Sequence, residues 1–330
     1  MDWTAIFENT ARAAVGKDAI VYALAAIGLN VHFGYTGLLN FGQAGFLAMG
    51  AYGTAITVTY FEQSVWLGIL VAIIGAGVLA LLMGVPTLRL RADYLAIVTI
   101  AAAEIIRLCV RSVTFGDVTG GSTGLNSFAD GFYDPNFLPS GTYGFGPWQY
   151  RSDTWWWLLI GWTLVALSAL LVWALIRSPW GRVLKSIRED EDAARSLGKN
   201  VFAYKMQALV LGGVIGALGG IINALATRAV LPDNFSTVVT FFAYTALILG
   251  GAARTFGPII GSVIFWMLLS FADSVLREAN REDLLPESII NGTQVGQVRF
   301  MIVGLGLALL MVFRPQGIFG DRRELELDAR

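Results

Sequence analysis

Residues 65–85, VWLGILVAIIGAGVLALLMGV, run for twenty-one positions without a charged side chain. At 1.5 Å of rise per residue, a helix of that length reaches ~30 Å, the thickness of a bilayer's hydrocarbon layer. No water is present in that layer to satisfy the backbone, so only helices or closed barrels can cross it. A continuous apolar run, as opposed to an alternating one, selects the helix. Similar runs recur at roughly 19–35, 38–61, 94–113, 155–176, 206–227, 235–253, 256–274 and 295–313, which makes nine candidate spans. Charged residues are 14% of the chain, against about 25% in soluble domains. The expected fold is an all-α, polytopic helical membrane protein, with a single transmembrane domain over 1–330. In the last run Arg299 shortens the uncharged part to 300–313 and is expected to snorkel to an interface.

Basic residues orient the spans. Loop 177–205 carries Arg177, Arg182, Lys185, Arg188, Arg195, Lys199 and Lys205, so it is expected on the cytoplasmic side. Alternation then places Arg89, Arg91, Arg254 and a C-terminus with Arg314, Arg322, Arg323 and Arg330 on that side too. The opposite side receives an aromatic, Gly-rich cap over 114–153 and a shorter loop over 277–294. Two topologies remain open for the N-terminus. If every run crosses, it lies on the cap side; if 34–50 re-enters, it lies in the cytoplasm. The sequence 1–20 has no cleavage-site pattern after a short apolar core and reads as retained.

The stretch GLLNFGQAGFLAMGAYG, 37–53, interrupts this pattern. Gly costs a helix about 1 kcal/mol relative to Ala, and amides are expensive in hydrocarbon. Ala44, Ala48, Ala51 and Ala55 form a small-residue stripe for close helix packing, while Gly37, Asn40, Gly42, Gln43 and Gly45 break the helix. Broken helices are tolerated where their free backbone groups line a cavity or are buried in protein. The two readings are a helix break beside a transport path and plain tight packing. Further along, Glu104 lies about 15 Å into its span by helical rise, with Arg107 on the same face as a partner, so a buried ion pair is expected there. A clamp between helices is the reading favoured over substrate contact.

Several chemistries are excluded by what is missing. His32 is the single histidine, so neither a metal cluster nor a histidine-based triad can be assembled, and a packing role is expected. GGSTG at 120–124 fits G-x-S-x-G but lacks the strand–turn–helix setting of a nucleophile elbow. The single Cys109 lies in an apolar run and offers no disulfide framework. A net charge of −1 leaves no nucleic-acid footprint. The sequence has no phosphate-binding G-x-x-x-x-G-K-[ST] loop, so ATP, if it drives this protein, binds another subunit. Neither cofactor nor catalytic residue is expected.

The cytoplasmic segment SPWGRVLKSIREDEDAARSLGKNVFAYK, 178–205, predicts one helix over 182–198, with Pro179 as a start signal and Gly198 as a stop. Val183, Leu184, Ile187, Ala194 and Leu197 share a face. Such a stripe suits either a solvated surface helix or docking into a partner's groove.

Together these stretches resemble the permease subunits of branched-chain amino-acid ABC importers, the LivM-like type. The resemblance is carried by GYTGLLNFGQAGFLAMGAY (34–52), LRLRADYLAIVTIAAAEIIRL (88–108), TGGSTGL (119–125), GRVLKSIREDEDAARSLG (181–198), LGGAARTFGPIIGS (249–262) and FRPQGIFG (313–320). DAARSLG is similar to the E-A-A-x-x-x-G coupling signature of ABC permeases, with Asp192 for Glu and without the I-x-L-P ending. The resemblance implies a subunit of the bacterial or archaeal plasma membrane that works by alternating access. Its implied partners are a second related permease, two cytoplasmic ATPase subunits, an external solute-binding protein and membrane lipid. It also implies an ATPase contact through Gly181, Leu184, Ile187, Asp192, Ala193, Ala194, Leu197 and Gly198, and a substrate path by Asn40, Gly42, Gln43, Gly45, Gly250 and Gly251. Urea, short amides or other amino acids are alternative substrates for the same assembly; a stand-alone secondary transporter or channel is the reading from another class.

Overall fold

A computed structural model describes residues 2–90, 92–282, 295–313 and 317–319. The fold is helical, as the apolar runs require. α1 (Trp3–Val15) turns at Gly16 into α2 (Lys17–Leu29), whose last turns continue as a π-helix over Asn30–Tyr35. α3 (Gln43–Thr59), α4 (Val65–Thr87) and α5 (Ala92–Arg111) follow. The cap holds the one-turn helices α6 (Gly116–Thr119) and α7 (Asp130–Tyr133), the strand β1 (Leu125–Asn126) and the paired strands β2 (Thr142–Tyr143) and β3 (Tyr150–Arg151). α8 (Ser152–Arg177) returns to the opposite face, where α9 (Pro179–Glu189) and α10 (Glu191–Ser196) lie. α11 (Val201–Thr227), the strand β4 (Ala229–Val230), α12 (Thr237–Gly250), α13 (Gly257–Arg281) and α14 (Val295–Phe313) complete the bundle.

Each of the nine expected runs is helical over most of its length, in α2 to α5, α8 and α11 to α14. Five helical stretches are long and apolar enough to cross a membrane alone: Trp3–Tyr35, Val65–Thr87, Ser152–Arg177, Val201–Thr227 and Gly257–Arg281. α12, at 14 residues, reaches only about 21 Å as a helix. Its ends are completed by non-helical chain packed against neighbours. The guanidinium of Arg299 reaches Asp273 on α13 at 3.1 Å, so an opposite charge on the facing helix partners it.

The core lies where α2 and α3 both pack on α11. Small residues make this possible. Ala44, Ala48, Ala51 and Ala55 are all buried, so the stripe read from sequence is a packing surface. The cap is ordered by side chains and not by its own two-residue strands. β1 pairs with β4 at the end of α11. Indole N–H groups of Trp148, Trp155, Trp156 and Trp162 donate to the carbonyls of Ala11, Tyr143, Phe132 and Val15. Tyr133 donates to Leu225 O at 2.9 Å, and burial pushes its phenol up against the pull of Arg228. Arg12 donates to Pro147 O, which sets α1 beneath the cap. The N-terminus is therefore on the cap side.

Candidate functional site

The chain between α2 and α3 is not helical, and the local sequence explains its course. Asn30, in the π-helical turn, turns its amide outward to the loop after α12: Oδ1 accepts from Ala253 N at 2.8 Å and Nδ2 donates to Arg254 O at 2.9 Å. Thr36 Oγ1 closes the turn on Val31 O. The residues that follow are non-helical and mostly buried, so their backbone groups need partners. Phe41 N donates to Thr99 Oγ1 on α5 at 3.0 Å, Ala44 N to Thr240 Oγ1 on α12 at 2.9 Å, and Tyr244 O–H to Asn40 O at 2.9 Å.

Asn40 sits at the centre, fully buried. Its Oδ1 accepts from Gly42 N, so its Nδ2 is the group that faces His32 Nδ1 at 3.0 Å. An amide nitrogen only donates, which leaves the ring proton on His32 Nε2, donated to Leu209 O at 3.1 Å. His32 is thus a satisfied, neutral packing histidine. At Gly42 a Cβ would come within 2.6 Å of Thr99 O, so no larger residue fits that approach. Gln43 donates to Ala25 O and Gly212 O at 3.4 and 3.3 Å, while its Oε1 is buried without a partner. Gly45 packs on Ala103 of α5.

Asn40, Gly42, Gln43 and Gly45 are therefore brought together, at the junction of five helices, as a packed polar seam. Gly250 and Gly251 lie at the end of α12, where Gly251 takes φ +106°, and their loop meets Asn30. Both breaks thus reach the same face of the bundle. The segment 36–59 crosses. It begins beside α9, where Arg188 Nη1 donates to Gly34 O at 2.6 Å, and ends under the cap, with Tyr52 against Phe235.

The predicted helix 182–198 is two helices. Ser178 caps α9 with Pro179 in its first turn, as expected, but Asp190 leaves the helical conformation and accepts from Ala193 N at 2.9 Å, starting α10 anew. The Asx cap wins over continuation because it satisfies a free N–H. Gly198, at φ +75°, ends α10 as its position predicts.

The apolar stripe also divides. Leu184, Ile187 and Ala194 are buried against the chain itself, the last two with Val201 of α11, and Gly181 is buried behind Ile176. Asp192, Ala193, Leu197 and Gly198 face outward, with Leu197 78% exposed. Beside them opens a cavity of ≈ 890 Å³ between the end of α4 and α10, edged by Arg89, Asp192, Arg195 and Lys205. Glu191 there holds Lys205 and Arg195.

Glu104 and Arg107 pair as their spacing predicts, at 2.5 Å, but the pair is only partly buried by protein: Glu104 is 36% exposed and Arg107 14%. Neighbouring helices cover only one side of α5, and Ile97, Ile105 and Leu108 on the other side are bare. Arg107 also reaches Asp233 at 2.9 Å, and Arg111 joins at 3.1 Å. The result is a four-charge network on the cap-side half of α5. Sequence reading missed Asp233 and Arg111, along with Asn30, Thr99, Arg188, Thr240 and Tyr244 at the seam. Their one signal was a polar group inside or beside an apolar run. The terminal residues Arg314, Arg322, Arg323 and Arg330, with Arg91 and 283–294, lie outside the described residues.

The sequence matches the family described as "Branched-chain amino acid transport system / permease component" over residues 15–287. The chain belongs to this family. Among its curated relatives, the high-affinity branched-chain amino acid transport system permease protein LivM of Salmonella typhimurium is 31% identical over 326 residues, 96% of this chain and 72% of the relative. A probable LivM of Methanocaldococcus jannaschii is 25% identical, covering 92% and 91% of the two chains. The nucleoside ABC transporter permease protein NupC of Lactococcus lactis is 26% identical over 72% of this chain and 74% of its own. Like these permeases, this family member is a transport component.

Proposed function

We propose that this chain is the membrane permease subunit of an ATP-driven importer of branched-chain, hydrophobic amino acids in the plasma membrane. The observation that carries the reading is the near full-length likeness to LivM permeases. Two partner ATPase subunits bind the ATP in this reading, and the lack of a phosphate-binding loop in the sequence is consistent with it. A second, related permease completes the membrane part, and an external binding protein delivers the amino acid.

In this reading loop 177–205 is cytoplasmic, as its basic residues direct, and the outward residues of α10 meet an ATPase. Closure of the ATPases would shift α9 and α10. Arg188, bonded to Gly34 O, would transmit that shift to the discontinuous crossing. Asn40, Gly42, Gln43 and Gly45, with Gly250 and Gly251, then act as the hinge-like wall beside the translocation path. Glu104 and Arg107 clamp α5 to the 232–235 turn.

The test is ATP-dependent uptake into proteoliposomes holding this chain, its second permease, both ATPases and the binding protein. Leucine uptake inhibited by isoleucine and valine is expected. Preferred uptake of urea, an amide or a nucleoside changes the substrate within the same assembly. Uptake driven by an ion gradient without the ATPases overturns the reading.

A further inference from the structure

A cavity of ≈ 180 Å³ opens near the cap side of the bundle, above α2 and enclosed by α3, α11, α12 and α13. Its volume equals about six waters at ~30 Å³ each, the scale of one small solute. Its wall combines two kinds of surface. The polar part is Lys17, Asp18, Tyr22, Asn223, Asn234 and Trp266. The apolar part is Val21, Leu47, Phe235 and Val239.

The polar groups are short of partners. Lys17 Nζ and Asp18 Oδ1 stand 3.5 Å apart, longer than the 2.7–2.9 Å of a charge-assisted hydrogen bond. Each keeps its capacity for another ligand. Lys17 also sits in the first turn of α2, where the helix dipole disfavours a cation. An anion at the mouth of the cavity would relieve that. Tyr22 is 8% exposed and lines the cavity. Trp266 Nε1 is buried with no acceptor. Buried polar groups in proteins are almost always bonded, so the open Trp266 N–H, below a charged pair that stays 30% and 47% exposed at the mouth, reads as part of a site shaped for a polar guest.

We propose that this cavity binds the permease's amino-acid cargo as a zwitterion. The ligand's carboxylate faces Lys17, its ammonium faces Asp18, and its aliphatic side chain lies on Val21, Leu47, Phe235 and Val239. Asn223 and Asn234 supply further amide donors and acceptors. Opposite charges held side by side, over an apolar floor, match an α-amino acid with a hydrocarbon side chain better than a ligand that carries only one of the two charges or neither. Below the floor, one helical turn from Leu47, lies Gln43 with its unpartnered Oε1, so the site stands directly above the discontinuous crossing. The inference rests on the amino-acid importer reading and adds the residues that hold the cargo within this chain.

The experiment measures equilibrium binding of radiolabelled leucine to the detergent-solubilised assembly without its binding protein. Unlabelled leucine, leucinamide and N-acetyl-leucine serve as competitors, and leucine uptake is followed on the same assembly with binding protein added. Lys17→Met is expected to weaken leucine and N-acetyl-leucine about tenfold and leave leucinamide, which has no carboxylate, unchanged. Asp18→Asn is expected to weaken leucine and leucinamide to a similar degree and leave N-acetyl-leucine, which has no ammonium, unchanged. A merely structural role for the pair would weaken all three ligands alike. That result, or unchanged leucine binding in both variants, overturns the site, as does a wild type that takes up leucine without binding it here. A wild type that shows the ligand-by-variant pattern but no ATP-dependent uptake keeps the site and removes the importer reading.

Discussion

Asn40 serves three groups from one side chain and one carbonyl: His32, the Gly42 N–H and the Tyr244 hydroxyl. Truncating it leaves a buried donor and a buried acceptor open, at about 1–3 kcal/mol for each unsatisfied group. Asn40→Ala is expected to lower the thermal unfolding midpoint of the purified permease clearly, whereas Asn234→Ala at the exposed turn leaves it nearly unchanged. A scanning thermal melt in detergent decides between them. A second residue, Leu197, is expected to carry the ATPase contact, because a side chain 78% exposed on the loop proposed as cytoplasmic gains most from being covered. Burying a leucine contributes about 1.5–3 kcal/mol, so Leu197→Asp should weaken ATPase copurification tenfold or more. Pairing with the second permease should stay intact. At this scale the sequence marked Asn40 and Gly42 as out of place in a span. It did not mark Thr99, Thr240 or Tyr244, because a hydroxyl in an apolar run looks the same whether it bonds its own helix or the backbone of another.

Among the elements, the α9–α10 pair departs most from expectation. A charged run, REDED at 188–192, one arginine followed by four carboxylates, conceals the Asx cap at Asp190, so one helix is expected where two form. The face was misread for a related reason: periodicity tells which residues lie together, not whether they meet the chain's own body or a partner. Ala194 is packed between Ile187 and Val201, so Ala194→Arg should dislodge α10 by overpacking, at about 1–3 kcal/mol. Limited proteolysis is expected to cut Ala194→Arg within 190–200 far faster than Leu197→Asp, although both variants lose the ATPase. Asp190→Ala removes a cap of ~0.5–2 kcal/mol and should raise amide exchange in α10 alone. The pairing of Glu104 with Arg107 was legible from helical spacing, but the covering of Glu104 was not, since burial depends on which neighbours stand on which side.

For the whole molecule, the alternation of nine runs with basic and aromatic loops was legible, and the fold follows from it. What alternation left open was the parity of the N-terminus, because a buried extended segment and a re-entrant hairpin have the same composition. The hydrogen bonds of α1 to the cap close that question within the structure. After replacement of Cys109, single cysteines at Thr4 and Ser140 are expected to react together with an impermeant maleimide on intact cells, while one at Ser196 stays protected. Labelling of the Ser196 position from outside would invert the proposed orientation.

The indole clasp of the cap has an optical consequence. Four of the ten tryptophans are held with their N–H groups on backbone carbonyls of α1 and the cap, and excited indole emits at longer wavelength once water reaches it. The protein therefore contains its own fluorometer for that surface: lifting the cap should shift its ultraviolet emission to the red while its circular dichroism, dominated by the bundle, stays constant. A titration with the binding protein that moves the first signal and not the second would time the opening of the outer face without any attached dye.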